Sequence, residues 1–320
     1  MTQPVVITGA GGFAGSHLLD LLTGRGARVS AWYRPGGRQP THGSPLAEPR
    51  SVQLLDAAAV RAAVADLRPS AVFHCAGAAH VGTAWVDTLV PLETNVLATH
   101  HLLNAIARAA PDARVLVPSS GLVYRPSTGL LEEGAPRVPE TPYGVSKLAQ
   151  EMLACRAARI DRLHVVVARP FNHIGPRQDP SFVTSGFARQ IAEIEAGLRP
   201  PEIRVGNLDA RRDLTDVRDT VRAYSLLLEH WAPGQPLNVC SGLTHRIGDL
   251  LEALLRLSHV AVQVVLDESR LRPSDQPVLV GNPTAIREAL GWQPEIPVER
   301  SLADTLDFWR ARVARPDKVR

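Results

Sequence analysis

Two side chains four positions apart carry the most chemistry in this chain. They are Tyr143 and Lys147, in the run Tyr143-Gly144-Val145-Ser146-Lys147. On a helix, positions i and i+4 share a face, so a phenol and an ammonium would point to one place. A phenol at its ordinary pKa of ~10 is a poor acid–base group at neutral pH. A cation beside it favours the phenolate and would draw that pKa toward the working range. Such a pair can exchange a proton with a carbonyl oxygen. The spacing is common by chance, but the lysine is not. Among 35 basic residues the only lysines are Lys147 and Lys318, so a lysine kept in mid-chain is informative. Upstream, Ser119 and Ser120 end an apolar run and offer hydroxyls to the same chemistry. Two serines at a strand end also make ordinary turn bonds.

A second set of residues suits a phosphate. Thr8-Gly9-Ala10-Gly11-Gly12-Phe13-Ala14-Gly15 follows an apolar run and opens a helical pattern. Gly9 permits a tight turn, Gly12 lets the backbone approach a pyrophosphate, and Gly15 allows close helix–strand packing. Phe13 and Ala14 fall at the start of that helix, where unpaired N–H groups and a partial positive charge favour anions. A purely structural glycine turn is the alternative. The strand–turn–helix context at the N-terminus favours a dinucleotide. The second apolar run ends Trp32-Tyr33-Arg34, without the carboxylate that would accept from a ribose 2′-OH. The Arg34 fork suits a 2′-phosphate instead, which favours NADP(H) over NAD(H). A solvated surface arginine is the other reading of Arg34.

Elements must hold these groups together. Apolar runs at Val5–Ile7, Val29–Trp32, Ala71–His74, Arg114–Val117 and His164–Ala168 alternate with helical patterns at Gly15–Leu22, Val60–Leu67, Leu89–Ala109 and Tyr143–Arg159. Strands alternating with helices imply an α/β fold, a Rossmann-type doubly wound parallel sheet covered on both faces. Residues 1–170 read as the NADP-binding domain. Residues 171–313 read as mainly a smaller substrate-binding lobe with return crossings to the sheet, and 314–320 as a tail. In that second half, helical patterns recur at Asp216–Trp231, Ile247–Leu257, Pro283–Leu290 and Pro297–Val313, and Asp216 reads as a helix cap. Arg34–Arg50, rich in Gly, Pro and Ser, reads as a mobile surface loop.

Composition narrows the function classes. The 320 residues are 45% hydrophobic and 21% charged, ordinary for a globular protein with a real core. A net charge of +3 with no basic run gives no support to nucleic-acid binding and fits a small anion equally well. Cys75, Cys155 and Cys240 are dispersed, with neither disulfide nor metal spacing, so no metal is expected. No stretch approaches a membrane span, and MTQPVVITG has no basic leader segment, which implies a cytoplasmic protein with reduced thiols.

The glycine turn TGAGGFAG, the Tyr143-x-x-x-Lys147 pair and the segments after residue 168 resemble the extended short-chain dehydrogenase/reductase family over nearly the whole chain. The resemblance assigns the active serine to Ser120, which would orient a substrate oxygen beside Tyr143, and has Lys147 also hold the nicotinamide ribose. It adds cofactor contacts at Asp56, near the adenine, and along His74-Cys75-Ala76-Gly77, where Ala76 and Gly77 leave room. Asn95 would support the active-site backbone or a proton relay at the cofactor. Substrate contacts are implied at Asn172, in the run Ala168–Pro176, at Arg212 and at Arg272. Arg212 reads equally well as an ion-pair arginine, and His173 as a packed one.

Related 4,6-dehydratases carry a glutamate two residues before the tyrosine of the Ser120 segment. Here Leu122 stands there, beside Gly121, and leucine accepts no proton. The segments PFNHIGPRQ, VGNLDARRD, TDVRD, LRPSDQPVLVG and LGWQPEIPVERSL look most like the family's reductases of GDP-4-dehydro-6-deoxy-D-mannose, which make GDP-D-rhamnose. The implied activity is NADPH-dependent reduction of the C4 ketone of a nucleotide-linked 4-keto-6-deoxy sugar by a homodimer paired through Leu89–Ala109 and Tyr143–Arg159. Two rival readings remain: a nucleotide-sugar 4-epimerase with tightly held NAD, and a non-catalytic dinucleotide sensor.

Overall fold

The computed structural model describes residues 4–40, 43–79, 81–270 and 276–314. Its strands are β1 (Val5–Thr8), β2 (Val29–Tyr33), β3 (Ala47–Ser51), β4 (Ala71–His74), β5 (Arg114–Pro118), β6 (His164–Pro170), β7 (Asn172–Ile174), β8 (Glu202–Val205), β9 (Arg211–Asp216), β10 (Pro236–Val239), β11 (Thr244–Arg246), β12 (Gln263–Leu266) and β13 (Val278–Leu279). Seven of them form one parallel sheet in the order β10-β6-β5-β4-β1-β2-β3. The helices are α1 (Phe13–Gly24), α2 (Ala57–Leu67), α3 (Val81–Val86), α4 (Leu89–Pro91), α5 (Ala98–Ala109), α6 (Pro142–Arg159), α7 (Val183–Glu195), α8 (Val217–His230), α9 (Ile247–Arg256), α10 (Thr284–Leu290) and α11 (Val298–Val313).

Strand alternation feeds two cores. Val6, Val165 and Val167 face one cluster with Leu102 and Ile106 of α5. Ile7, Val166 and Ala168 face the other, with Leu18 of α1 and Leu227 of α8. Successive side chains on a strand point to opposite faces, so near-continuous apolar runs are what a doubly covered sheet requires. A third core, built from α7, α9 and α11 with β8, lies in the second half of the chain. There β9 pairs with β7, β11 and β13. The strand β10, from residues 236–239, crosses back to extend the large sheet beside β6.

Three features differ from the sequence reading. The segment Arg34–Arg50, read as loop, holds all but the last residue of the edge strand β3, paired in parallel with β2. Its letters AEPRS hide it: an edge strand with one open side tolerates proline and charge. The single helix read over Leu89–Ala109 is broken by a π-helical stretch, Leu92–Leu97. Helix α7 is the third difference; it lies outside the helical patterns of the sequence and buries Phe187, Ala188 and Ile191. Asp216, read as a cap, accepts from Arg218 N at 2.7 Å and caps α8.

Candidate active site

The order of the strands reverses beside β1, with β4 on one side and β2 on the other. In open α/β sheets, ligands bind outside the strand C-termini at such a switch point. The glycine turn sits there. Gly9 adopts φ +67°, and a Cβ on it would lie 2.7 Å from the Ala76 backbone. A Cβ on Gly15 would come within 2.2 Å of Gly9 O. Gly12 is the N-cap of α1, with no side-chain partner and no acid in the first turn, so the helix presents bare N–H groups. Ala76 N donates to Thr8 Oγ1 at 3.2 Å, which fixes the facing wall. Phe13 stacks on His173 at 5.5 Å between centroids and 10° between planes. Ala14 is partly buried in the same turn.

Ser120, Tyr143 and Lys147 converge at the ends of β5 and α6. Thr141 caps α6 by accepting from Gly144 N at 2.9 Å, which starts the helix so that Tyr143 lies in its first turn. Ser120 is 8% exposed, accepts from Leu122 N at 3.1 Å, and lies near enough to the Tyr143 phenol to favour its ionised form. Lys147 donates to Pro118 O and to Gln150 Oε1, both at 2.5 Å. The phenol is not depressed as its spacing from lysine suggested. Burial pushes it up to about 12, with the neighbouring Ser120 hydroxyl acting the other way. Lys147 spends its ammonium on Pro118 and Gln150, and burial pulls it down to about 7.

Asn95 is fully buried in the π-helical stretch. Its Oδ1 accepts from Ala78 N at 2.9 Å, while Nδ2 donates to Ala78 O at 3.2 Å and Ser146 Oγ at 2.9 Å. A Cβ on Gly77 would strike that Oδ1 at 2.4 Å. The amide therefore ties the β4–α3 loop to α6, so its fit is as a support of the wall rather than a contact with a cofactor. Asp56 likewise caps α2, with Oδ1 accepting from Ala58 N at 2.8 Å and Ala59 N at 3.1 Å.

Arg34 is exposed at the end of β2. Arg38, unremarked in the sequence, folds back so that its carbonyl would touch a Cβ on Gly11 at 2.2 Å. A cavity of about 90 Å³ opens there, bounded by Ala10, Ser16, Asp20, Arg38 and Arg177. Burial and the neighbouring Arg312 and Arg177 guanidiniums lower the Arg38 pKa, so an anion would be welcome beside it. Only the return of the chain onto Gly11 reveals this arginine.

On the substrate side, Asn172 is exposed on β7 and Arg212 lies on the adjacent β9. Arg212 donates to Arg211 O at 2.9 Å and Gln276 O at 2.8 Å. Arg272 lies outside the described residues. Where dehydratases would carry their glutamate, Leu122 packs against the cluster of Val123, Tyr124 and Phe171, and a Cβ on Gly121 would meet the Phe171 ring at 3.0 Å. The nearby carboxylates are committed. Glu151 binds Arg169, and Glu133 accepts from Asn238 N. Among the described residues no cluster of His, Cys, Asp and Glu could hold a metal, and no helix is long and apolar enough to cross a membrane.

Comparison with known proteins agrees with this geometry. The family described as GDP-mannose 4,6 dehydratase matches residues 6–305. GDP-6-deoxy-D-mannose reductase of Pseudomonas aeruginosa is 37% identical over 98% of this chain and 99% of its own length. The structure of RMD from the same organism complexed with NADPH superposes with a TM-score of 0.84 at 34% identity, covering 97% of this chain and 100% of that one. UDP-glucose 4-epimerase of Azospirillum brasilense is 32% identical over 91% of this chain and 87% of its own.

Proposed function

Because the chain belongs to the GDP-mannose 4,6-dehydratase family, we propose that it is an NADPH-dependent oxidoreductase that reduces the C4 ketone of GDP-4-dehydro-6-deoxy-D-mannose to GDP-D-rhamnose. The observation that carries this reading is a Ser120–Tyr143 pair beside Lys147 with no carboxylate at residues 121–122. The site has an acid for a carbonyl oxygen but no base there for the elimination a dehydratase performs.

The chain suits the dinucleotide. The bare N-terminus of α1 and the Gly9–Gly15 turn would take its pyrophosphate, Arg34 and Arg38 its 2′-phosphate, and Ala76 and Gly77 would border its path. When bound, NADPH supplies a hydride to the C4 carbonyl carbon. Tyr143 gives its phenolic proton to the C4 oxygen as negative charge develops there. Burial keeps that phenol protonated at neutral pH, the form an acid must start in. The Ser120 hydroxyl bonds the same oxygen and fixes its position. The Lys147 ammonium, one turn along α6, stabilises the phenolate left behind. Asn172, Arg212 and Arg272 are assigned to the nucleoside diphosphate, since guanidinium forks match phosphate oxygens.

Oxidation of NADPH with a panel of GDP-, dTDP- and UDP-linked 4-keto-6-deoxy sugars tests the reading. Turnover with the GDP sugar is expected, and an Arg34→Ser, Arg38→Ser double variant should lose about tenfold or more in NADPH over NADH preference. The 32% identical epimerase keeps a second reading in view. Protein purified with tightly bound NAD, interconverting C4 epimers without added reductant, would establish that reading instead. NADPH binding without turnover on any of these sugars would leave a dinucleotide sensor.

The chain is also assigned a homodimer. Leu92, Leu97, Val145 and Met152 are exposed on one face of the π-helical stretch and α6, beside an apolar groove of about 430 Å³. Contiguous apolar surface of this kind marks an interface, and a second copy is the occupant the family implies. Sedimentation equilibrium should return twice the 34.6 kDa chain mass; a monomer at micromolar concentration would reject the assignment.

A further inference from the structure

A buried chain of hydrogen bonds runs from the glycine turn to Lys147, and its proton count closes. Thr8, His74, Thr99 and Gln150 are each no more than 1% exposed. Thr99 Oγ1 donates to Asn95 O at 2.5 Å. Its hydrogen is thus spent, and it must accept from Gln150 Nε2 at 2.8 Å and from His74 Nε2 at 2.9 Å. The second contact places the imidazole proton on Nε2. His74 Nδ1 then accepts from Thr8 Oγ1 at 2.8 Å, and Thr8 in turn accepts from Ala76 N. The Gln150 amide can sit only one way round, with Nε2 toward Thr99 and Oε1 toward Lys147. Lys147 has no acceptor of its own, so that orientation is the one that satisfies both neighbours.

We propose that Gln150 is a positioning residue for Lys147. Its carbonyl and that of Pro118 bracket the ammonium, and its amide anchors the bracket through Thr99 and His74 to the wall of the dinucleotide crevice. The proposal rests on the reductase reading above for its effect on turnover, but not for its effect on the lysine. Glutamine is suited to the task because it is neutral. It accepts a hydrogen bond without cancelling the charge that the Tyr143 phenolate needs. Glu151, the next residue, could have cancelled it, but Arg169 takes both of its oxygens. A carboxylate at 150 would also set an oxygen against Thr99 Oγ1, which has no hydrogen left to give.

Cys75 and Glu151 raise the Lys147 pKa against burial, but none of the groups facing it titrates near neutral pH itself. From the end of β4 and the residue after it come His74, held neutral by burial with a pKa near 3, and Cys75, pushed up to about 12 by burial. From α6 come Tyr143, also near 12, and Glu151, held below the usual carboxylate range by Arg169 against the push of burial. Tyr224 of α8, within reach of Cys75 and Tyr143, lies far above neutrality because it is buried. A midpoint near neutral pH therefore belongs to Lys147.

The chain's two lysines make this directly measurable. Protein labelled with 13C at lysine Cε gives two signals, and a Lys318→Arg variant identifies the one from Lys147. Cofactor-free wild type, Gln150→Met and Gln150→Glu are titrated. Removing the acceptor should lower the Lys147 midpoint by about one pH unit in the methionine variant, and adding a charge should raise it by about one unit or more in the glutamate variant. The methionine variant should also lose about tenfold in kcat with little change in KM for the sugar. Midpoints that stay at the wild-type value in both variants, or a kcat that stays put while they move, overturn the proposal. If the methionine variant does not fold, the direction of the glutamate shift decides alone. Wild type that turns over no keto sugar would sink the reductase reading while leaving the titration able to judge Gln150.

Discussion

Tyr143→Phe should lower kcat for ketone reduction by about a thousandfold and leave the NADPH dissociation constant within about twofold. The substitution removes one oxygen and keeps the ring. General acid catalysis by a positioned side chain typically supplies 10²–10⁴-fold, so ~10³ is the middle of that range. No other group is placed to substitute. The Ser120 hydroxyl carries a far less acidic proton and already accepts from Leu122 N, while Lys147 directs its hydrogens to Pro118 and Gln150. The glycine turn and its Ala76 wall lie elsewhere, so cofactor binding should be spared. Steady-state NADPH oxidation and fluorescence titration of NADPH check the two halves. Retention of more than a tenth of wild-type kcat would remove Tyr143 from the chemistry. The pH profile adds a sign. Tyr143, pushed up to about 12, stays protonated through the neutral range, so a fall in kcat/KM above neutrality reports Lys147 losing its ammonium.

The largest loss of stability should follow Glu151→Gln. Glu151 is fully buried and binds Arg169, itself 2% exposed, through Nε to Oε2 at 2.9 Å and NH2 to Oε1 at 2.7 Å. Arg169 continues to Tyr124 OH at 2.6 Å and Glu133 O at 2.9 Å, and Tyr124 donates to Asn238 Oδ1 at 2.7 Å. Helix α6, which carries Tyr143 and Lys147, is thereby bolted to β6 and β10. Removing one partner of a buried pair strands the other charge, at a cost of about 3–5 kcal/mol. Burial raises the Glu151 pKa, but the Arg169 hydrogen bonds and charge outweigh it and hold the group below its ordinary value. A depressed carboxylate contributes stability above its unfolded pKa and loses it as pH falls through the folded one. Wild type should accordingly weaken on the acid side of the carboxylate range, and the variant should lack that component. Urea unfolding at several pH values tests both claims. A cost below ~1 kcal/mol would show that the pair is dispensable.

The parts that could be read from sequence are those whose chemistry is contiguous. The glycine turn, the Tyr143–Lys147 spacing and the apolar strand runs each need only a dozen neighbouring letters. What escaped depends on distant chain returning. Strand β3 is legible only as a partner of β2, since AEPRS has no strand pattern of its own. Arg38 becomes a phosphate candidate only because its loop folds onto Gly11. Asp213, buried beneath Ser241 N, Gly242 N and Gly281 N, looks like an ordinary acid in a run of arginines. Asp56 is placed near the adenine by resemblance alone, and its role as the cap of α2 emerges only from the structure. Tyr143 shows the limit of spacing arguments. The i, i+4 geometry is present, but burial, which spacing cannot report, moves the phenol the opposite way.

The crossing of β10 into the large sheet has a consequence for anyone dividing the molecule. The chain contributes residues 5–170, leaves the sheet through β7, α7, β8 and β9, and then returns, first as α8 against one face and then as β10 along the open edge of β6. A fragment ending near residue 170 would leave a bare row of amides and carbonyls on β6 and uncover the apolar side that α8 shields, a template for intermolecular strand pairing. Such a truncation should precipitate rather than bind nucleotide. Exchange of specificity with a relative would have to transplant surface loops and leave the residues of α8 and β10 with the first half.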